Sequence, residues 1–499
     1  MVNAGSGSSK SSKKYDLIED EEFKIKNDAG YSISLYTSKA RYVALILSSL
    51  QMLLVSGIVF GWPALETELI QQNTFRYLCG EDEVVPCPKQ SSRLNLVYTI
   101  GAFTATGSAF LTGALYDRYG PKKTNFLAFI LLVLGFVLWF ISYLYESNLY
   151  IVSFAFIGTG GPACQVSLLH ISNLFPKTSS AISSSFSGMF VGSSIIFKIF
   201  QIIANKYDIK ISYIFLVYMG LLLPLFIPTW LLLKNQPFLP FSDFKNKQCV
   251  FGNQETESNT NNNNNNNDES IPDENNSSNN NDGSIIGSDD IEDVGEVILS
   301  PVKDQPLSTQ IFSKEFFSLC YFMSINSLHC VYYMGVVNGM FSNNQKYVDI
   351  FNYTWSGGLI LVPFVGYIMV KTKLYMNCFL VNFSSIVFGI LSSIEIDRVQ
   401  LGAFFFASLL NVSLWGFYFI YLFHIFGNNN YGKLMGLSSI VTALIGLLEY
   451  LFVYLNNSVG ASYSVINIAL TCFKVPAFIL VYFIAKSSKK DYILYSNLN

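Results

Sequence analysis

Four residues, Gln51, Thr159, Asn326 and Asn411, each place an amide or hydroxyl near the middle of an otherwise apolar run. Left unpaired in an apolar setting, such a group costs about 1–3 kcal/mol. Each must therefore meet either a neighbouring helix or something bound. Gly160 follows Thr159 and, with Gly161 and Pro162, makes a step that loosens a helix and frees backbone groups. Trp415 stands one helical turn beyond Asn411 and offers a ring to cover an apolar body. None of these side chains is an acid or a base. The chemistry they offer is hydrogen bonding to a neutral or zwitterionic molecule, with no fixed charge and no carboxylate placed to move a proton. An embedded enzyme would need a polar catalytic cluster at one depth, and no constellation of His, Asp and Ser supplies one. Neither a metal nor a cofactor is expected.

A second group of residues forms a short loop, Gly113-Ala-Leu-Tyr-Asp117-Arg118-Tyr-Gly120-Pro-Lys122-Lys123. Gly113 would let its helix approach a neighbour, and Asp117 can accept from helix amides or from an Arg. Arg118, Lys122 and Lys123 make a basic cluster that resists translocation. An ordinary basic loop explains the three cations but not the Gly and Asp spacing. Other ionisable residues lie within apolar runs. Lys198 and Glu449 are expected near the outer ends of their helices, with a role in a vestibule as the lesser of two readings. Lys474 is expected to snorkel toward the interface. His329 is read as a packing histidine, and His170 and His424 as caps of helix ends.

The elements that carry these groups are long and apolar. Of 499 residues, 51% are apolar and only 13% charged, about half the usual share for a soluble protein. Runs of roughly 20 apolar residues, enough for a helix to cross a bilayer core, recur at about 41–63, 93–115, 125–144, 149–171, 180–203 and 211–233. Six more lie at about 313–340, 350–370, 373–394, 401–425, 433–455 and 461–485. The expected fold class is an all-α integral membrane protein of twelve spans. Its expected parts are an N-terminal tail (1–40), a six-helix half (41–233), a linker (234–312), a second half (313–485) and a C-terminal tail (486–499).

With both tails placed in the cytosol, seventeen Lys and Arg fall on the inner side of the short connections against seven on the outer, which sets the expected orientation. The linker holds the run Asn261–Asn267 and acids such as Asp289 and Glu292. It cannot bury enough apolar surface to offset its ordering entropy, so it is read as a disordered cytosolic segment whose partner is unknown. The bilayer is the expected environment, and no basic surface for nucleic acid is visible. The sequons at Asn352 and Asn456 abut spans and are expected to remain unglycosylated.

Two landmarks recur at nearly one spacing: Gly113 and Gly366 are 253 residues apart, and His170 and His424 are 254. The halves thus carry a faint repeat, with a site expected between them near mid-membrane. The loop from Gly113 to Lys123 resembles the signature of the major facilitator superfamily. A wider set, Leu94-Asn95-Leu96, Tyr98 to Gly101, Gly158 to Gly161, Asn173-Leu174-Phe175, Tyr332-Tyr333-Met334 with Val337-Asn338, and Gly366 to Met369, resembles the sodium-independent large-neutral-amino-acid facilitators. That group also contains an equilibrative nucleobase transporter. Val370 departs from the group, which tends to place an Asp there.

The resemblance implies two pseudo-symmetric six-helix bundles and facilitated, alternating-access movement of large neutral amino acids, with purine nucleobases as the alternative. It also implies that spans 1, 4, 7 and 10 line the cavity, which makes Gln51, Thr159, Gly160, Asn326, Asn411 and Trp415 the expected solute contacts. The motif loop becomes the gate, through Gly113, Asp117, Arg118, Gly120, Lys122 and Lys123. Related facilitators carry a cysteine pair in the first outer loop, so Cys79 and Cys87 are expected to be disulfide-bonded. The expected residence is the plasma membrane, with an endolysosomal membrane as the other choice. A receptor that moves no solute is the rival class, disfavoured by twelve spans and the motif loop.

Overall fold

Apolar runs in lipid have no water to satisfy their peptide groups, so they must close their own hydrogen bonds as helices. The computed structural model describes residues 38–175, 178–235, 300–427, 430–484 and 486, and no strand occurs among them. Most of the expected tails and of the expected linker, with Lys177, Lys489 and Lys490, lies outside the described residues. The N-terminal half comprises α1 (Ser38–Val55), α2 (Trp62–Gln71), α3 (Pro88–Leu144), α4 (Leu149–Leu168), α5 (Ser179–Gly192), α6 (Ile195–Tyr207) and α7 (Ile211–Leu232). A short α8 (Leu307–Ile311) leads into the C-terminal half. That half holds α9 (Lys314–Met340), α10 (Gln345–Ser356), α11 (Gly358–Lys371), α12 (Leu374–Ser392), α13 (Asp397–Phe426), α14 (Tyr431–Gly446), α15 (Leu448–Tyr454) and α16 (Tyr463–Lys474).

Among the described residues, eight helices are long and apolar enough to cross a membrane, or ten when two bent pairs each count as one span. The difference from the expected twelve has two sources. The 57-residue α3 is interrupted at Gly120, whose φ of 79° and ψ of 173° are not helical, so it covers the two runs expected at about 93–115 and 125–144. The 27-residue α9 has the length, but Ser324, Asn326, Ser327 and His329 dilute its apolar middle.

The first span bends by 46° between α1 and α2. The break sits where Gly57 and Gly61 lie against the junction of α5 and α6: a Cβ on either would stand 2.3 Å from Phe190 O or 2.2 Å from Ser194 O. The Gly57 amide donates to Ser193 Oγ at 2.7 Å, occupying a backbone group freed by the bend.

Each half has its own aromatic core. Trp139 packs edge-on to Tyr150 and close to Phe154 and Phe215 in the first. Tyr333 packs edge-on to Phe351 and Phe388 in the second. The outer surface is covered by exposed large apolar side chains, among them Ile46, Leu111, Phe126, Val217, Leu221, Ile360 and Phe364. A continuous apolar exterior of this kind suits lipid and not water.

The halves meet along two helix pairs built on small residues. A Cβ on Gly436 of α14 would stand 2.8 Å from the Phe110 ring of α3. On α5, a Cβ on Gly188 would stand 3.0 Å from Leu359 and 3.1 Å from Val362 of α11, and one on Gly192 3.1 Å from Leu359. The close approach expected at Gly113 is not observed: a Cβ there would meet nothing within 4 Å.

Candidate functional site

Between the halves lies a small cavity, partly open to solvent, with about 30 Å³ accessible to the centre of a water-sized sphere. Its wall takes Phe60 from the first span, Thr106 from α3, Phe190 and Val191 from α5, and Ser327, Cys330, Val331 and Met334 from α9. Trp355 on α10 and Asn411, Leu414 and Trp415 on α13 complete it. None of these residues is charged. The side chains of Thr106, Ser327 and Asn411 make no hydrogen bond among the described residues, which leaves three polar groups on an otherwise apolar and aromatic wall. A mostly apolar pocket with a few convergent polar groups is the usual form of a small-molecule site.

Of the expected contacts, Asn411 and Trp415 stand in this wall and the other four do not. Gln51 is buried within the N-terminal half and donates to Cys164 Sγ at 3.2 Å. Thr159 returns its hydroxyl to Ala155 O in its own helix at 2.9 Å. Gly160 packs against Leu132 and Ala128 of α3. Asn326 donates to Phe322 O at 2.8 Å and accepts from Ser385 Oγ on α12, so it ties two helices of one half together. Its neighbour Ser327 is the residue of that turn that faces the cavity. Thr106 and the aromatic walls Phe60, Phe190 and Trp355 were not among the expected contacts. Depth along a helix could be counted from the sequence, but rotation about its axis could not.

Lys474 does not snorkel. It is fully buried in the C-terminal half, donates to Ser385 O at 3.1 Å and lies 5.0 Å from the Phe388 ring centre. His329 meets Asn467 at 3.0 Å, in keeping with a packing role. Both sequon asparagines are engaged: Asn352 donates to Val348 O at 3.0 Å, and Asn456 accepts from Tyr332 at 2.7 Å and donates to Ala461 O at 2.8 Å.

At the end that carries the first loop, the halves are joined by polar contacts. Lys198 of α6 pairs with Asp349 of α10 at 2.5 Å. Asn338 of α9 donates to Glu66 Oε2 of α2 at 2.7 Å and accepts from Thr67 at 2.9 Å. Thr99 of α3 donates to Glu449 Oε2 of α15 at 2.6 Å, and Ser194 and Ser356 share a hydrogen bond of 2.8 Å. This end of the cleft is closed. Lys198 and Glu449 thus bind the opposite half. In the loop itself Cys79 and Cys87 form a disulfide, with Cα atoms 5.8 Å apart.

The motif loop occupies the opposite end. Gly120 needs its positive φ and its missing side chain, because a Cβ would stand 1.6 Å from Asn235 O just past α7. Lys122 sits 4.3 Å from the Trp230 ring centre of α7, so Gly120 and Lys122 anchor the loop within the N-terminal half. Asp117 and Arg118 are exposed, and neither forms an ion pair among the described residues.

Two helical halves with an apolar exterior and a cavity between them describe a multi-pass membrane protein. The family model described as the Major Facilitator Superfamily matches residues 44–448, and the chain belongs to that family. Three relatives match over most of their length. A bovine (Bos taurus) protein, Equilibrative nucleobase transporter 1, is 22% identical over 82% of this chain and 88% of its own. Amino acid transporter 6-1 of Toxoplasma gondii is 23% identical over 82% and 72%. Large neutral amino acids transporter small subunit 3 of Mus musculus is 22% identical over 80% and 85%.

Proposed function

We propose that this chain is a facilitative transporter of large neutral amino acids, holding its solute in the cavity between the halves and opening to each side of the membrane in turn. The observation that carries this reading is the uncharged cavity wall, in which Asn411, Ser327 and Thr106 are free to hydrogen-bond while Trp355, Trp415, Phe60 and Phe190 supply apolar faces. An amino acid of no net charge with an apolar or aromatic side chain matches that distribution. Two of the three relatives described above carry amino acid transport in their names.

Purine nucleobases are the second reading. A flat, neutral ring with a polar edge suits aromatic walls beside a single amide, and the bovine relative is named for nucleobase transport. In either case Asn411 and Trp415 contact the solute. Gln51, Thr159, Gly160 and Asn326 hold the helices that shape the cavity. The loop at Asp117 gates the opposite end, and the excess of Lys and Arg supports a cytosolic side for that end and both tails. The plasma membrane is the proposed residence. Uptake of labelled leucine, phenylalanine and adenine into proteoliposomes tests the assignment: saturable amino acid uptake supports the first reading, adenine uptake alone the second, and uptake of none contradicts both.

A further inference from the structure

Among the contacts that close the disulfide end, Glu449 stands in an environment with too few protons. Its carboxylate is fully buried where α15 packs on α3 and α9. Oε2 lies 2.6 Å from Thr99 Oγ1, and the same Thr99 hydroxyl lies 2.9 Å from the carbonyl oxygen of Asn95. A hydroxyl has one proton to give and cannot serve both. With the Asn95 amide oriented so that Nδ2 faces Thr99 Oγ1 at 3.5 Å, Glu449 Oε1 has no hydrogen-bond partner, and neither does the buried Asn95 Oδ1. These two acceptors crowd one spot, 2.4 and 2.9 Å from where a Cβ on Gly335 of α9 would stand. Glycine at 335 is what leaves room for them.

The ionisable groups around Glu449 are Glu66 on α2, Tyr98 on α3, Tyr332 on α9 and its chain neighbour Tyr450. Lys198 is paired with Asp349 instead, and no ion pair to Glu449 exists among the described residues. A buried carboxylate facing a second acceptor with no cation beside it is repelled from both sides. One added proton removes the conflict.

We propose that Glu449 is a proton-binding site of the closed disulfide end: a proton on Oε1 is donated to Asn95 Oδ1, and the Thr99 proton goes to Oε2. The proton comes from water on that side as the end closes. It returns to the same water when α15 and α3 part and the carboxylate is hydrated. Acid on that side therefore holds the end closed, and alkali opens it. The proposal rests on the two halves parting at this end, as in the function proposed above, but not on which solute is carried.

The test uses the purified full chain with Ser194→Cys, at the buried Ser194–Ser356 contact, as a reporter of opening, and with Cys249, Cys330 and Cys472 changed to serine. Reaction with a soluble maleimide is followed from about pH 5.5 to 8, each rate divided by that of the same protein in denaturant to remove the reactivity of the thiol itself. The expected normalised rate rises about tenfold across this range. Glu449→Gln, whose amide donates to Asn95 Oδ1 without titrating, keeps the rate low and flat. Asn95→Ala leaves the carboxylate but removes its acceptor, and moves the midpoint about one pH unit toward acid. Should Glu449→Gln fail to fold, that shift decides alone. Glu66→Gln and Asp349→Asn retain the pH dependence.

A flat profile in the parent overturns the proposal. So does an unchanged profile in Glu449→Gln, the result expected if the Asn95 amide is turned to donate to Oε1 itself. Loss of the profile in Glu66→Gln together with its survival in Glu449→Gln overturns it as well. Because no solute enters the assay, a failure here leaves the transport reading standing, and a failed uptake assay leaves this one standing.

Discussion

At the scale of single residues, the cavity separates side chains that are free to bind from side chains already engaged. Asn411 has no internal partner and faces the space between the halves, whereas Asn326 is held by Phe322 O and Ser385. Replacing Asn411 by alanine removes one hydrogen bond to a neutral solute, worth about 0.5–1.5 kcal/mol. The expected result is a KM for uptake raised roughly 3- to 10-fold with normal surface expression. Replacing Asn326 by alanine strands a Ser385 hydroxyl and loosens two helices, so the expected loss is of protein stability and yield, with KM unchanged in the protein that folds. Uptake kinetics beside a thermal unfolding curve in detergent separates the two outcomes. An unchanged KM in Asn411→Ala would count against the site. The sequence made the depth of these polar residues legible, since each stood mid-run, but not their direction. Asn326 and Ser327 are adjacent, about 100° apart around a helix, and only packing decides which faces the cavity. The pairing of Glu449 with Thr99 was illegible for the same reason, although an ionisable residue inside a span was itself a signal.

At the scale of elements, the two loops have different tasks. The motif loop was legible because its glycine has a backbone reason: at Gly120 any side chain would meet Asn235. Gly113 has no such reason here, and Asp117 has no ion-pair partner among the described residues, while the opposite end of the cleft is latched. In the transport cycle proposed above, closing one end opens the other, and the gating proposal assigns Asp117 a partner in that alternate arrangement. Asp117→Asn is accordingly expected to slow transport about tenfold, a bias of about 1.4 kcal/mol between the two arrangements, with little change in surface expression. Uptake comparable to the parent would remove the gating role. The Cys79–Cys87 bridge closes a short loop beside the latched end. A cross-link of this size stabilises by roughly 2–3 kcal/mol, so Cys79→Ser with Cys87→Ser is expected to lower the unfolding temperature while leaving solute ranking alone. Labelling of either native cysteine by an impermeant maleimide without prior reduction would rule the bridge out.

At the scale of the molecule, the fold follows from the need to satisfy every peptide group in lipid, which is why apolar runs alone located most spans. The misfits are informative. The run at α9 is less apolar because part of its surface lines the cavity and part bonds to α12 and α16. The 57-residue α3 conceals two runs because the loop between them is short and turns at a single glycine. Contacts at Gly188, Gly192 and Gly436 join the halves along two seams, and the cavity lies between those seams. The central claim, that unmodified neutral solute passes through this cavity, is tested most directly by counterflow. Proteoliposomes are loaded with unlabelled leucine and diluted into a trace of labelled leucine. Transient accumulation of label above equilibrium, abolished by unlabelled phenylalanine outside and weakened in Asn411→Ala, is the expected result. No accumulation with any neutral amino acid or nucleobase, by protein that is folded and inserted, would contradict the account.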